Sequence, residues 1–108
     1  MQSNYEGKNM QRLVETRIEV DEKITKGEKL PEVMILYAVD LEHFVITSKP
    51  LKNLEDKALA KTEVKVINEQ NKHIIKLPWK IYNFYHLEEN DYTIMTSEKD
   101  PKTIIVTI

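Results

Sequence analysis

Pro78 is the residue that most constrains how this chain can fold, because it ends one apolar pattern and opens another. Before it, His73-Ile74-Ile75-Lys76-Leu77 is β-branched and apolar enough for a strand. Proline has no N–H for a ladder, so that strand stops there, and its fixed φ suits the first turn of a helix. After it, Ile81, Phe84, Tyr85 and Leu87 are spaced to form one apolar face of a short helix. Glu88-Glu89-Asn90-Asp91 reads as a polar turn, and Tyr92 to Thr96 alternates by period two, as a strand does. Ser97 to Lys102 carries Asp100-Pro101 and reads as a turn before a last strand, Thr103 to Ile108. Lys72 to Ile108 is therefore expected to run strand, short helix, strand, turn, strand.

Such a stretch leaves sheet edges open and a core half covered, so it needs a second piece to pair with. The earlier residues are candidates. Residues 1–11 read as a loose arm without periodicity. Arg12 to Val20 alternates charged and apolar positions, as a half-buried strand does. Asp21 to Lys29 is a polar connector with Gly27 as its turn residue. Leu30 to Pro50 supports two readings. In one it is a β-hairpin, with strands Val33 to Val39 and His43 to Lys49 joined by Asp40-Leu41-Glu42. In the other it repeats the later half: Leu30-Pro31 answers Leu77-Pro78, Phe44 to Thr47 answers Tyr92 to Met95, and Ile18 to Val20 answers Val64 to Val66. Lys49 to Lys61 holds good helix formers, with Asn53 and Asp56 as a loose capping-box variant. Thr62 to Ile67 reads as a strand and Asn68 to Asn71 as a hairpin turn. One domain over residues 12–108 follows, with halves at 12–51 and 62–108 if the repeat holds.

Composition removes several function classes. A chain of 108 residues supports one core. No apolar run approaches the roughly 18 residues of a membrane helix, and the polar N-terminus lacks a signal peptide's apolar block. A cytoplasmic location is the expectation. The absence of Cys excludes a disulfide framework and thiolate metal sites. His43, His73 and His86 have no metal-ligand spacing. Gly7 and Gly27 make no phosphate-cradling loop, and the serines lack a nucleophile-elbow context. Glu88, Glu89 and Asp91 cluster in a turn, where solvation explains them better than acid–base work. No enzyme activity, metal or cofactor is expected. A net charge of −2 does not announce a nucleic-acid binder, although a basic face can hide behind an acidic one.

The C-terminal pattern resembles the AbrB/SpoVT family of DNA-binding regulators and the related antitoxins. The resemblance rests on Leu77-Pro78, on Ile81, Tyr85 and Leu87 inside the helix, on Leu87 and Asp91 as a Leu-x-x-x-Asp, and on Ile104-Ile105-Val106 as the closing strand. Asn90 stands where the family usually has Gly, and Asn71-Lys72-His73 stands at its Gly-Arg or Gly-Lys loop. The resemblance implies a mainly β, swapped-hairpin barrel with short helices, completed either by a homodimer or by an intramolecular pseudo-dimer. It implies a transcription regulator that binds double-stranded DNA. Lys65, Lys72, His73, Lys76 and Lys80 match the family's basic positions, with Arg12, Arg17, Lys23, Lys26 and Lys29 as first-half equivalents. Such side chains fix register on phosphates. Tyr82 and Asn83 stand where family members often carry paired arginines, so the two-pronged contact to guanine is missing there. Trp79 reads either as packing over the barrel end or, with Tyr82, as a protein-partner surface. The alternative function is therefore a protein-interaction module, antitoxin-like or inhibitory, of viral or mobile-element type. Family antitoxins usually carry a tail beyond the barrel; with Ile108 inside the last strand, the N-terminal arm is the expected substitute.

Overall fold

In the computed structural model, which describes residues 16–108, every strand joins one sheet. Arg12 and the arm expected at residues 1–11 lie outside the described residues. The strands are β1 (Arg17–Asp21), β2 (Val33–Ala38), β3 (His43–Thr47), β4 (Ala60–Glu69), β5 (Lys72–Lys76), β6 (Thr93–Thr96) and β7 (Ile104–Thr107). Their spatial order is β1-β5-β4-β2-β3-β7-β6, with every neighbouring pair antiparallel. Two short helices, α1 (Lys52–Glu55) and α2 (Trp79–Phe84), complete a mainly β fold. The sheet curls until it is nearly closed. The Thr96 hydroxyl donates to the Ile24 carbonyl at 3.3 Å, linking edge strand β6 to the loop that follows edge strand β1.

Period-two alternation sets the inner face. Ile18 and Val20, Met34 and Leu36, Phe44 and Ile46, Val64 and Val66, Ile104 and Val106 all point into one core. α2 and the residues after it add Ile81, Tyr85 and Leu87, the three positions expected to face inward. Phe84, expected on the same face, is instead 46% exposed. Six residues give α2 less than two turns, and Phe84 meets the Tyr85 ring in a T-shaped contact at 4.9 Å.

Leu30 to Pro50 forms the hairpin, β2 and β3. The repeat extends to local structure only in part: Ile18 to Val20 and Val64 to Val66 both lie in strands, as do Phe44 to Thr47 and Thr93 to Met95, but the two Leu-Pro segments differ. Turns precede Leu30-Pro31 where the later half has a strand, and β2 follows it where the later half has a helix. The cause is visible in the residues. Val33 to Ala38 is a continuous apolar run with no polar helical face, whereas Trp79 to Phe84 interleaves Lys80 and Asn83. The β2–β3 hairpin inserts between β4 and β7, so the chain itself supplies the strands that Lys72 to Ile108 lacks. α1 is shorter than expected and starts one residue before Asn53. Leu51 occupies its N-cap without a side-chain bond, so the anticipated Asn53 cap is absent. β4 is longer than expected at 10 residues, and its turn to β5 is only Gln70-Asn71, with Asn71 at φ 72°.

Candidate anion-binding face

Four residues form one transverse row on the outer face. Val33 on β2 stands opposite Lys65 on β4, Lys65 opposite Lys76 on β5, and Lys76 opposite Arg17 on β1. Alternation explains their outward aim, since Val64, Val66, Ile75 and Leu77 are buried beside them. Strand spacing of about 4.8 Å puts the three cations along roughly 10 Å. Like charges directly opposite destabilise a sheet. Arg17 is relieved by Glu19 at 3.3 Å. Among the described residues, Lys65 and Lys76 have no carboxylate within ion-pair distance.

The row borders a groove, which exists because β4 changes partner at Lys65. Up to Lys65, β4 pairs with β2; from Lys65 onward it pairs with β5. The segment before β2 lies across the gap. Val66 N–H donates to the Glu32 carbonyl at 2.8 Å. The Asn68 amide grips Leu30, with Nδ2 donating to its carbonyl at 2.8 Å and Oδ1 accepting its N–H at 3.2 Å. The open groove has a volume of about 800 Å³. Lys29, Lys65 and Lys76 supply its positive charge, Glu32 its negative charge, and Pro31, Val33 and Ile67 its apolar surface.

The other anticipated basic residues scatter. Lys72 lies at the far end of β5 from Lys76 and pairs with Glu19 at 3.2 Å. Lys80 is exposed on α2. His73 cannot contact a phosphate, because it is 4% exposed and bonded through both ring nitrogens. Its Nδ1 meets Asn68 Oδ1 at 2.6 Å, and its Nε2 meets the Thr25 hydroxyl at 2.7 Å. Burial holds its pKa below the usual histidine value, against an upward pull from Glu22. Alternation alone marks His73 as inward, on the same side as Ile75, which is the signal that separates it from Lys72 and Lys76.

Trp79 is 58% exposed, so it does not cap the barrel end; Tyr82 packs partly against the core. Proline at the α2 N-cap and a C-terminal Schellman motif hold this helix. Leu87 N–H donates to the Tyr82 carbonyl and His86 N–H to the Asn83 carbonyl, each at 3.1 Å, while His86 takes φ 52°. Asn90, at the position where the family usually has Gly, does not take the left-handed conformation; His86 does, four residues earlier.

The sequence pattern gives no sign of a second polar cluster. Tyr37 is buried on the outer face, where the segment carrying α1 covers it. Its hydroxyl donates to Glu55 and accepts Leu51 N–H at 3.1 Å, and Lys61 pairs with Glu55 at 2.9 Å. The Tyr37 hydroxyl and Lys61 hold the Glu55 carboxyl below its ordinary range. These groups satisfy one another and pin α1 to β2. Among the described residues, no three His, Asp or Glu side chains converge as metal ligands, and no helix is long and apolar enough to cross a membrane. The chain matches no known protein family, curated protein or solved structure.

Proposed function

We propose that this protein is a small DNA-binding regulator, similar in role to AbrB-type proteins, that docks its outer sheet face on the phosphate backbone. The observation that carries this reading is the Lys65–Lys76–Arg17 row, in which two lysines face each other without a carboxylate partner among the described residues. A duplex would offer Lys65 and Lys76 compensating charge from its phosphates. Contacts of this kind position a protein and carry little sequence information. With Tyr82 and Asn83 on α2 in place of arginines, specificity rests on DNA shape more than on base edges. Three to four phosphate contacts correspond to a slope of log affinity against log salt of about −3. Fluorescence anisotropy with a random-sequence duplex at two salt concentrations tests this. Salt-sensitive binding that weakens in Lys65→Gln/Lys76→Gln supports it, and salt-independent or absent binding at micromolar protein refutes it.

A second reading, a protein-interaction module, is favoured by the exposed Trp79 and Phe84 on α2, at 58% and 46%. It predicts no duplex binding and a partner interaction lost in Trp79→Ala. Under both readings the nearly closed sheet made by one chain favours completion in cis over a homodimer, which the mass in solution tests.

A further inference from the structure

We propose that His73, Asn68 and Leu30 form a proton-responsive strut beneath the basic groove, so that anion binding there tightens when His73 takes up a second ring proton. This rests on the anion-binding reading of that groove and adds its regulation. The hydrogen-bond chain carries the argument. Leu30 fixes the Asn68 amide, because its N–H can meet only Oδ1 and its carbonyl only Nδ2. The His73 nitrogen facing Asn68 Oδ1 at 2.6 Å is therefore the protonated one. Nε2 of the neutral ring is then an acceptor, and the Thr25 hydroxyl at 2.7 Å donates to it.

The site also accommodates the charged ring. Thr25 Oγ1 lies 3.0 Å from the Glu22 carbonyl and 3.2 Å from the Glu28 carbonyl. When Nε2 gains its proton, the hydroxyl turns to donate to one of these and accepts from Nε2–H. Both protonation states are thus fully hydrogen-bonded, which an ordinary core histidine does not require. Proton uptake changes the charge next to Asn68, and Asn68 and Leu30 both line the groove.

Charged groups reach the ring from several elements. Glu22 acts on the ring from the loop after β1. Asp21, Lys72 and Glu69 share one register row on the outward face, and Glu28 reaches Lys102 at 4.0 Å. Lys29, Lys65 and Lys76 lie on the groove side of Asn68. By linkage, an anion in the groove raises the proton affinity of His73 by the same factor that the proton raises anion affinity. A unit charge acting over about 10 Å in a partly aqueous path gives roughly a two- to fourfold effect.

Two measurements on the full chain test this. The first follows the His73 ring by NMR through a pH titration of wild type and of Lys65→Gln/Lys76→Gln, without DNA. The expected result is a higher His73 pKa in the double variant, which removes two charges, by roughly 0.5–1 unit; identical titrations overturn the strut. The second compares duplex affinity at pH 5.5 and 7.5 for wild type and His73→Gln, whose folding is checked by circular dichroism. Two- to fourfold tighter wild-type binding at pH 5.5, beyond that of His73→Gln, is expected; equal ratios overturn the proposal. If no duplex binds at either pH, the DNA reading fails, and the first measurement still decides the strut. That measurement also stands if His73→Gln does not fold.

Discussion

Lys65 and Lys76 face each other across β4 and β5, with Arg17 next in the same row. Stability alone argues against this arrangement, because each like-charge pair opposes folding by a few tenths of a kcal/mol. Lys76→Glu is therefore expected to raise stability by about 0.5 kcal/mol, by creating favourable pairs with both neighbours. The same substitution is expected to lower duplex affinity at least tenfold. Urea denaturation and anisotropy measure the two effects, and their opposite signs separate a binding row from surface charge that merely happens to cluster.

His86 ends α2 in the left-handed conformation at φ 52°. An L-residue there loses about 1–2 kcal/mol to steric conflict, part of which glycine returns as unfolded-chain entropy. Replacing His86 also removes its contact with Glu89 at 3.5 Å, an exposed pair of little energetic weight. His86→Gly is expected to stabilise the protein by about 0.5–1 kcal/mol, with a melting temperature higher by a few degrees. No change in duplex binding is expected, since the Schellman bonds involve only backbone groups.

Tyr85 ties α2 to the β2–β3 hairpin. Its hydroxyl donates to the Asp40 and His43 carbonyls at 2.9 and 3.0 Å, and its ring lies 4.9 Å from that of Phe44. Burial, with a smaller push from Asp40, raises its pKa to about 12. The folded state therefore holds the phenolic proton more tightly than the unfolded chain. The associated stability is complete below about pH 10 and is lost as pH rises towards 12. Tyr85→Phe is expected to reduce stability by about 1–2 kcal/mol at neutral pH and to flatten the alkaline decline. Chemical denaturation at pH 7 and pH 11 checks both outcomes.

His73 contributes an acid-side dependence of opposite sign. Its pKa lies below the usual 6.5, so the unfolded chain binds the proton more readily than the folded one. Stability is complete above about pH 6.5 and declines as pH falls below it, through the lowered pKa of the folded state. A saturating duplex is expected to shrink this decline, because the strut then favours the charged ring. Thermal melts between pH 4.5 and 7.5, with and without duplex, provide the comparison.

Much of the fold was legible because local chemistry and tertiary placement agree. Leu77-Pro78 marks a strand end and helix start whatever surrounds it, and the alternation of Tyr92 to Thr96 survives as β6. Leu30-Pro31 misleads because the same dipeptide also fits a connector, and only the apolar run of β2 behind it decides. The candidate site was legible in parts. The lysines are visible as residues, but the row depends on register, and no pattern within β4 or β5 states that Lys65 faces Lys76. His73 fails as a surface cation because β5 is buried at its centre, so its parity places the ring beside Asn68 instead of among phosphates. Tyr37 was invisible for the converse reason: its outward parity is overridden by α1 packing across the sheet.

Trp79 is the single tryptophan and is 58% exposed, which makes it a direct reporter for the two functional readings. Pro78 and the buried Ile81 fix α2 without help from the indole, so Trp79→Ala is expected to change stability by no more than about 0.5 kcal/mol. Its emission in the free protein is expected to be close to that of the unfolded chain. Trp79 follows Lys76 by three residues, so their Cα atoms are at most roughly 10 Å apart. A duplex held at Lys76 therefore comes within reach of the indole. The DNA reading predicts a salt-sensitive change in Trp79 emission during duplex titration, and that change should vanish in Lys65→Gln/Lys76→Gln. The interaction-module reading predicts that duplex leaves the emission unchanged, while a protein partner burying the α2 surface shifts it to shorter wavelength.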